Sequence, residues 1–153
     1  MNPIRDFMAD DHRFCDACLV AVDQATAQGD WARAMSEFTS LRNALHGHFS
    51  AEESVLFPLF ERQTGYYLGP TQVMRSEHAQ IRQLLAAAES ALNLRDADDY
   101  AGHSETLLIM LQQHNIKEEN VLYPMCDQHL ADRLDALLPE LQKQIAGEEE
   151  MPR

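Results

Sequence analysis

The segment from His48 to Pro58, HFSAEESVLFP, returns as His114 to Pro124, HNIKEENVLYP, so the skeleton H-x-x-x-E-E-x-V-L-aromatic-P recurs after 66 residues. The same shift carries Met8 to Met74, Asp11 to Glu77 and His12 to His78. Across residues 8–62 and 74–128 about a quarter of the aligned positions are identical, which marks a duplicated structural unit. A chain built this way must fold each copy alike and bring equivalent residues into equivalent places.

Each copy reads as two helices. Pro3, then Ile4, Phe7, Met8, His12, Cys15, Leu19 and Val22 recur at three-four spacing and predict a first helix over about 3–28. After Gly29-Asp30, with Asp30 as N-cap, the stripe Trp31, Ala34, Phe38, Leu41, Leu45, His48, Glu52, Leu56, Leu59 predicts a second over about 31–61, disturbed at Pro58. Residues 62–69 are a loop, and Pro70 opens a third helix to about 94. A fourth covers about 98–126, with Leu107, Leu111, His114, Glu118 and Leu122 on one stripe. A short C-terminal helix, about 131–146, contains Pro139, where a kink is expected, and ends at Gly147. The expected class is all-α: an up-down-up-down four-helix bundle spanning residues 1–147, followed by an acidic, disordered tail at 148–153.

Residues four apart on a helix share a face, so His48 with Glu52, and His114 with Glu118, each aim an imidazole and a carboxylate at one point. His12 and His48 lie about 16 and 17 residues from the first turn, a height of about 24–26 Å at ~1.5 Å per residue, and His78 and His114 match each other about the second turn. His12, His48, Glu52, His78, His114 and Glu118 therefore fall into one layer. Polar groups on apolar stripes are costly to bury singly. Four imidazoles and two carboxylates suit Fe, Mn or Zn rather than Mg or Ca, and no thiolate cage is present for a soft metal. If each Glu bridges, two metals each receive two nitrogens and two oxygens; a bridging oxide or hydroxide adds a fifth donor and leaves one position open on each.

Composition narrows the partners. A net charge of −13 with sparse Lys and Arg argues against nucleic acid. No apolar run is long enough for a membrane span, and the start lacks a signal-peptide pattern, which predicts a cytoplasmic protein. Three cysteines, Cys15, Cys18 and Cys126, read as reduced thiols filling helix faces, with Cys15 near enough in sequence to approach whatever His12 holds. His46, His103 and His129 fall off the layer. Asp16 is the candidate for a further ligand, and Tyr66, Tyr67 and Tyr123 are candidates for a nearby hydroxyl.

His12, then His48 with Glu52 and Glu53, then His78, then His114 with Glu118 and Glu119 resemble the hemerythrin-like (HHE) domain, a di-iron four-helix bundle, over about residues 4–127. The resemblance implies two Fe ions, with Zn or Mn as the lesser options. It makes His12, His48, His78 and His114 terminal ligands and Glu52 and Glu118 bridges; Glu53 and Glu119 fall outside the stripe and read as outer-face residues or as supports behind the ligands, not as ligands. Oxygen-carrying hemerythrins have a fifth histidine one turn after the third-helix histidine; here Arg82 stands there. The four-His, two-Glu set is more similar to iron-centre repair proteins, which usually carry an additional N-terminal cysteine-bearing domain for which this chain has no room. The expected function is binding or sensing of dioxygen or nitric oxide, or handling of iron under oxidative or nitrosative stress. The alternative is a di-iron redox enzyme of the peroxidase, oxidase or nitric oxide reductase type.

Overall fold

The computed structural model describes residues 1–150, with side chains over residues 1–147, and among them every regular element is helical. The helix α1 (Pro3–Ala27) begins on Pro3, and its first amides are capped from afar: Asp127 accepts from the Ile4 N–H at 2.8 Å and the Arg5 N–H at 3.1 Å. Gly29, at φ 70°, makes the turn to α2 (Trp31–Ala51), where the Asp30 side chain accepts from the Arg33 N–H. A π turn over Glu52–Leu56 leads without a break into α3 (Phe57–Thr64). α4 (Pro70–Asn93) follows the loop.

The second copy repeats the plan. Asp96 caps α5 (Ala97–Lys117) as Asp30 caps α2, and a second π turn, Glu118–Leu122, leads into α6 (Tyr123–His129). The residue matching Gly29 is Arg95, held at φ 53° in the left-handed region without glycine's freedom. A 3₁₀ turn, Ala131–Arg133, precedes α7 (Leu134–Glu150).

Two expectations are revised here. Disturbance was expected at Pro58, yet the irregularity lies just before it. Proline removes one N–H from the ladder, and the Phe57 N–H bonds the Glu52 carbonyl five residues back, which widens that turn; Tyr123 does the same onto Glu118 ahead of Pro124. The last helix was expected to stop at Gly147, but it runs to Glu150. Gly147 is not in the left-handed conformation that ends a helix, and glutamates are good helix formers. Of the tail expected to be disordered, residues 151–153 lie outside the described residues.

α1 packs on α2 and α5, α4 packs on the same two, and α7 lies against α2 and the first π turn. That last contact is close: a Cβ on Gly47 would come within 2.7 Å of the Ile145 carbonyl oxygen. The buried apolar residues form two clusters. One holds Leu19, Val22, Phe38, Leu41, Leu85, Tyr100 and Leu107; the other holds Ile4, Met8, Leu56, Phe60, Met74, Leu122 and Leu141. Each long rod passes from one cluster to the other at its histidine, since His12 lies between Met8 and Cys15 and His78 between Met74 and Ile81. A polar layer therefore separates two apolar ones. No helix among the described residues is long and apolar enough to cross a membrane.

Candidate metal centre

All six residues expected in the layer are there, each no more than 4% exposed. Their ligand-type atoms form two groups, each within 4.8 Å of one another: Glu52, His78, His114 and Glu118 in one, and His12, His48 and Glu118 in the other. Four of the inward-facing atoms have no hydrogen-bond partner: Glu52 Oε1, His78 Nε2, His114 Nε2 and Glu118 Oε2. His78 Nε2 and Glu52 Oε1 are 3.0 Å apart but lack hydrogen-bond geometry. Leaving a buried polar atom unpaired costs about 1–3 kcal/mol each. A cation shared among these lone pairs removes that cost, so the donor set fits a metal.

The outer nitrogen of every histidine is held by a carboxylate. His12 Nδ1 meets Glu119 at 2.6 Å, His48 Nδ1 meets Asp11 at 2.7 Å, His78 Nδ1 meets Glu53 at 2.6 Å, and His114 Nδ1 meets Glu77 at 2.7 Å. The pairing follows the repeat. The acid before each first histidine serves the second histidine of its own copy, and the acid after each layer glutamate serves the first histidine of the other copy. Such partners fix the Nδ1–H tautomer and aim Nε2 inward, the arrangement that orients imidazoles for a metal.

Arg82, in the place of the fifth histidine, is not aimed at the layer. Its guanidinium donates to both oxygens of Glu53 at 3.0 Å, and so supports the acid that orients His78. Burial favours the neutral form of Glu53, but the His78 and Arg82 hydrogen bonds prevail and bring it to about 2.

The inner groups are strongly coupled. Burial opposes charge on His114, yet Glu118, Glu52 and Glu77 outweigh it and raise the imidazole to about 9. His48 and His78 also rise, against their burial, through Glu52 and the acids on their outer nitrogens. Glu52 is held well below the usual carboxylate range, its burial outweighed first by the charge of the adjacent His48. Without a metal, protons therefore neutralise the layer, and a cation competes with them for the same lone pairs.

The sequence under-read Tyr123. In a regular helix a residue five positions after Glu118 points about 140° away from it. The π turn brings position five back over position one, and the fully buried Tyr123 hydroxyl reaches Glu52 at 2.6 Å, Glu118 at 2.9 Å, His12 at 3.2 Å and His48 at 3.3 Å. The signal was the proline that follows the aromatic residue in each copy. Tyr66 and Tyr67 are exposed instead.

Among the described residues neither donor group includes Asp16, His103 or a cysteine. His103 pairs with Asp99, and His129 stacks edge-on against Phe60 and Tyr66. Cys15 and Cys126 are buried, and burial first, then nearby carboxylates, pushes both thiols up, so they are neutral fillers. Phe49 stacks on His78 at 3.9 Å between ring centres and lines a cleft of about 240 Å³ between α2 and α4.

Two facing sets of oriented imidazoles and carboxylates, buried and short of partners, define a helical cation-binding domain. The chain belongs to the hemerythrin HHE cation-binding domain family, whose sequence profile matches residues 2–126. It is similar to the iron-sulfur cluster repair protein YtfE of Escherichia coli O1:K1 / APEC, at 32% identity over 56% of this chain and 43% of that protein. The YtfE of Escherichia fergusonii matches to the same extent. The chain thus spans less than half the length of these relatives. No solved structure matches it.

Proposed function

We propose that this chain is a cytoplasmic dinuclear non-haem iron protein that handles iron, or binds or senses dioxygen or nitric oxide, under oxidative or nitrosative stress. The observation that carries this reading is the set of four buried lone-pair atoms without partners: His78 and His114 are fixed from behind by acids, Glu118 is shared between the two donor groups, and Glu52 is held at its other oxygen by Tyr123. The mutual contacts of α1, α2, α4 and α5, with two short turns, support an up-down-up-down four-helix bundle around the layer. His12, His48, His78 and His114 would be terminal ligands, and Glu52 and Glu118 would each lend oxygens to both ions. Mixed nitrogen and oxygen donors favour iron over magnesium or calcium, and the similarity to iron-sulfur cluster repair proteins points the same way. Zn and Mn are the competing ions.

Iron bound here supplies one-electron chemistry and affinity for diatomic molecules or peroxide. The chain's own residues do the rest. Asp11, Glu53, Glu77 and Glu119 hold the Nδ1 protons so that each Nε2 lone pair faces inward, and the two apolar clusters exclude water. Tyr123, a phenol whose pKa is driven well up by burial and by Glu118 and Glu52, keeps its proton beside Glu52 in the metal-free layer. A hydroxyl placed at the ions also favours a second reading, redox turnover of peroxide or nitric oxide.

The test is anaerobic loading with ferrous iron, followed by metal analysis and absorption spectra during exposure to air and to nitric oxide. Two irons per chain are expected, and none in the double variant His48→Ala/His114→Ala. Two irons retained by that variant would refute the ligand assignment. Steady consumption of peroxide or nitric oxide would move the protein to the enzymatic reading.

A further inference from the structure

Tyr123 and Phe57 are equivalent by the 66-residue repeat, and they pack equivalently. The Tyr123 ring lies 5.7 Å from His12 at 28° between planes, and the Phe57 ring lies 5.9 Å from His78 at 18°. Packing is thus satisfied by phenylalanine at this position, and the hydroxyl is an addition made on one side only.

Its surroundings are crowded for a hydrogen-bonding group. The phenol has one proton, yet two carboxylate oxygens lie at 2.6 and 2.9 Å and two imidazole Nε2 atoms at 3.2 and 3.3 Å. One proton cannot serve both carboxylates. The spacing has another meaning. Donors bound at about 2.1 Å to one small ion stand about 3.0 Å apart at right angles and about 3.4 Å apart in a tetrahedron. The phenol oxygen keeps such distances from His12 and His48, at 3.2 and 3.3 Å, and His12 Nε2 lies 3.0 Å from Glu118. With His12, His48 and Glu118 already forming one donor group, the phenol oxygen stands where a further donor to that group would stand.

We propose that the Tyr123 oxygen is a fifth donor to the cation held by His12 and His48, so that the two cation positions of the duplicated layer carry different ligand sets. The proposal rests on the cation-binding reading above. When the oxygen–metal bond forms, the O–H bond breaks and its proton leaves to solvent. The other position, which faces Phe57, has no counterpart of this donor. One ion is therefore more fully ligated, and the other is left open.

The full chain is loaded with two ferric ions and probed by resonance Raman within its visible absorption. Phenolate-to-iron charge transfer with enhanced tyrosine ring modes is expected, and both vanish in Tyr123→Phe. That variant should keep its helical circular dichroism, because Phe57 shows that the packing accepts the change. It should still take two Zn²⁺, with one site weakened on the order of tenfold or more. Two bound ions without tyrosine modes in the native chain, or modes that persist in Tyr123→Phe, would overturn the proposal and leave the dinuclear reading intact. Failure to bind any cation would overturn both.

Discussion

Stripping the metal and raising the pH should loosen this fold, and the size of the effect follows from His114. Its imidazole titrates at about 9 in the folded layer, against an ordinary value of 6.5. A group whose folded pKa is raised adds stability that is complete below the unfolded value and is lost as pH rises through the folded one. The full contribution is about 3 kcal/mol, of which about 2 kcal/mol disappears between about pH 6.5 and 8.5. His48 and His78 are also raised and act in the same direction. Glu52 and Glu53, held low, contribute stability that is lost only in acid, outside this window. Above it the thiols of the unfolded chain ionise while Cys15 and Cys126 stay neutral in the fold, a further loss that is avoided by stopping at about pH 8.5. Urea denaturation of chelated protein, followed by circular dichroism at several pH values across the window, should show the midpoint falling steadily. Metal-loaded protein should gain on the metal-free form over the same range, because the cation no longer competes with protons. Metal-free stability that is flat or rising with pH would refute the reasoning, and an unchanged slope in His114→Gln would refute the assignment to that residue.

Three substitutions test other parts of the structure. Glu53→Gln replaces the carboxylate that takes both the His78 Nδ1–H and the Arg82 fork, and should lower Zn²⁺ affinity about 10–100-fold in a chelator competition with helix content unchanged; unaltered affinity would deny Glu53 its orienting role. Gly47→Ala gains about 1 kcal/mol of helix propensity but drives a Cβ to 2.7 Å from a backbone oxygen that cannot swing away, so a net loss of about 1–2 kcal/mol is expected in urea, and a gain would show that α7 is free to shift. Arg95→Gly relieves a left-handed arginine at a solvent-exposed turn and should raise stability by about 0.5–1 kcal/mol after the added freedom of the unfolded chain is counted; a loss in thermal or urea unfolding would argue against strain there.

The helices and the six layer residues were legible because both depend on local spacing. A three-four stripe shows which face is buried, and a histidine on that stripe must find a partner wherever the helix goes. The acids that hold the outer nitrogens were not legible in that way. Glu53 and Glu119 lie one residue off the stripe, and each serves a histidine on another rod, so their roles depend on how the rods cross. Asp11 and Glu77 were visible as acids beside His12 and His78, but their partners proved to be His48 and His114. The π turns were hidden for a different reason. Pro58 was read as a disturbance at its own position and the fourth helix was read straight through Pro124, whereas a missing N–H also frees the turn before it, and a fully buried glutamate at the start of that turn favours the wider form that presents Tyr123.

Duplication alone would give two equal cation positions, and the departures from the repeat all act against that equality. Beside His78 and His114, the supporting acids Glu53 and Glu77 are paired with Arg82 and Lys117. The repeat places Asp16 and Ala51 at the corresponding points near His12 and His48. Asp16 is felt there as a charge: burial first, and then Glu119, raise its pKa against the pull of His12. On the same side stands Tyr123, where the other side has Phe57. Each difference removes positive charge from, or adds an oxygen donor to, the His12–His48 half. A low-dielectric layer transmits such charges strongly. On the proposed dinuclear reading, the half that is richer in negative groups would hold the more highly charged ion more tightly, and the cation-backed half would keep the weaker field.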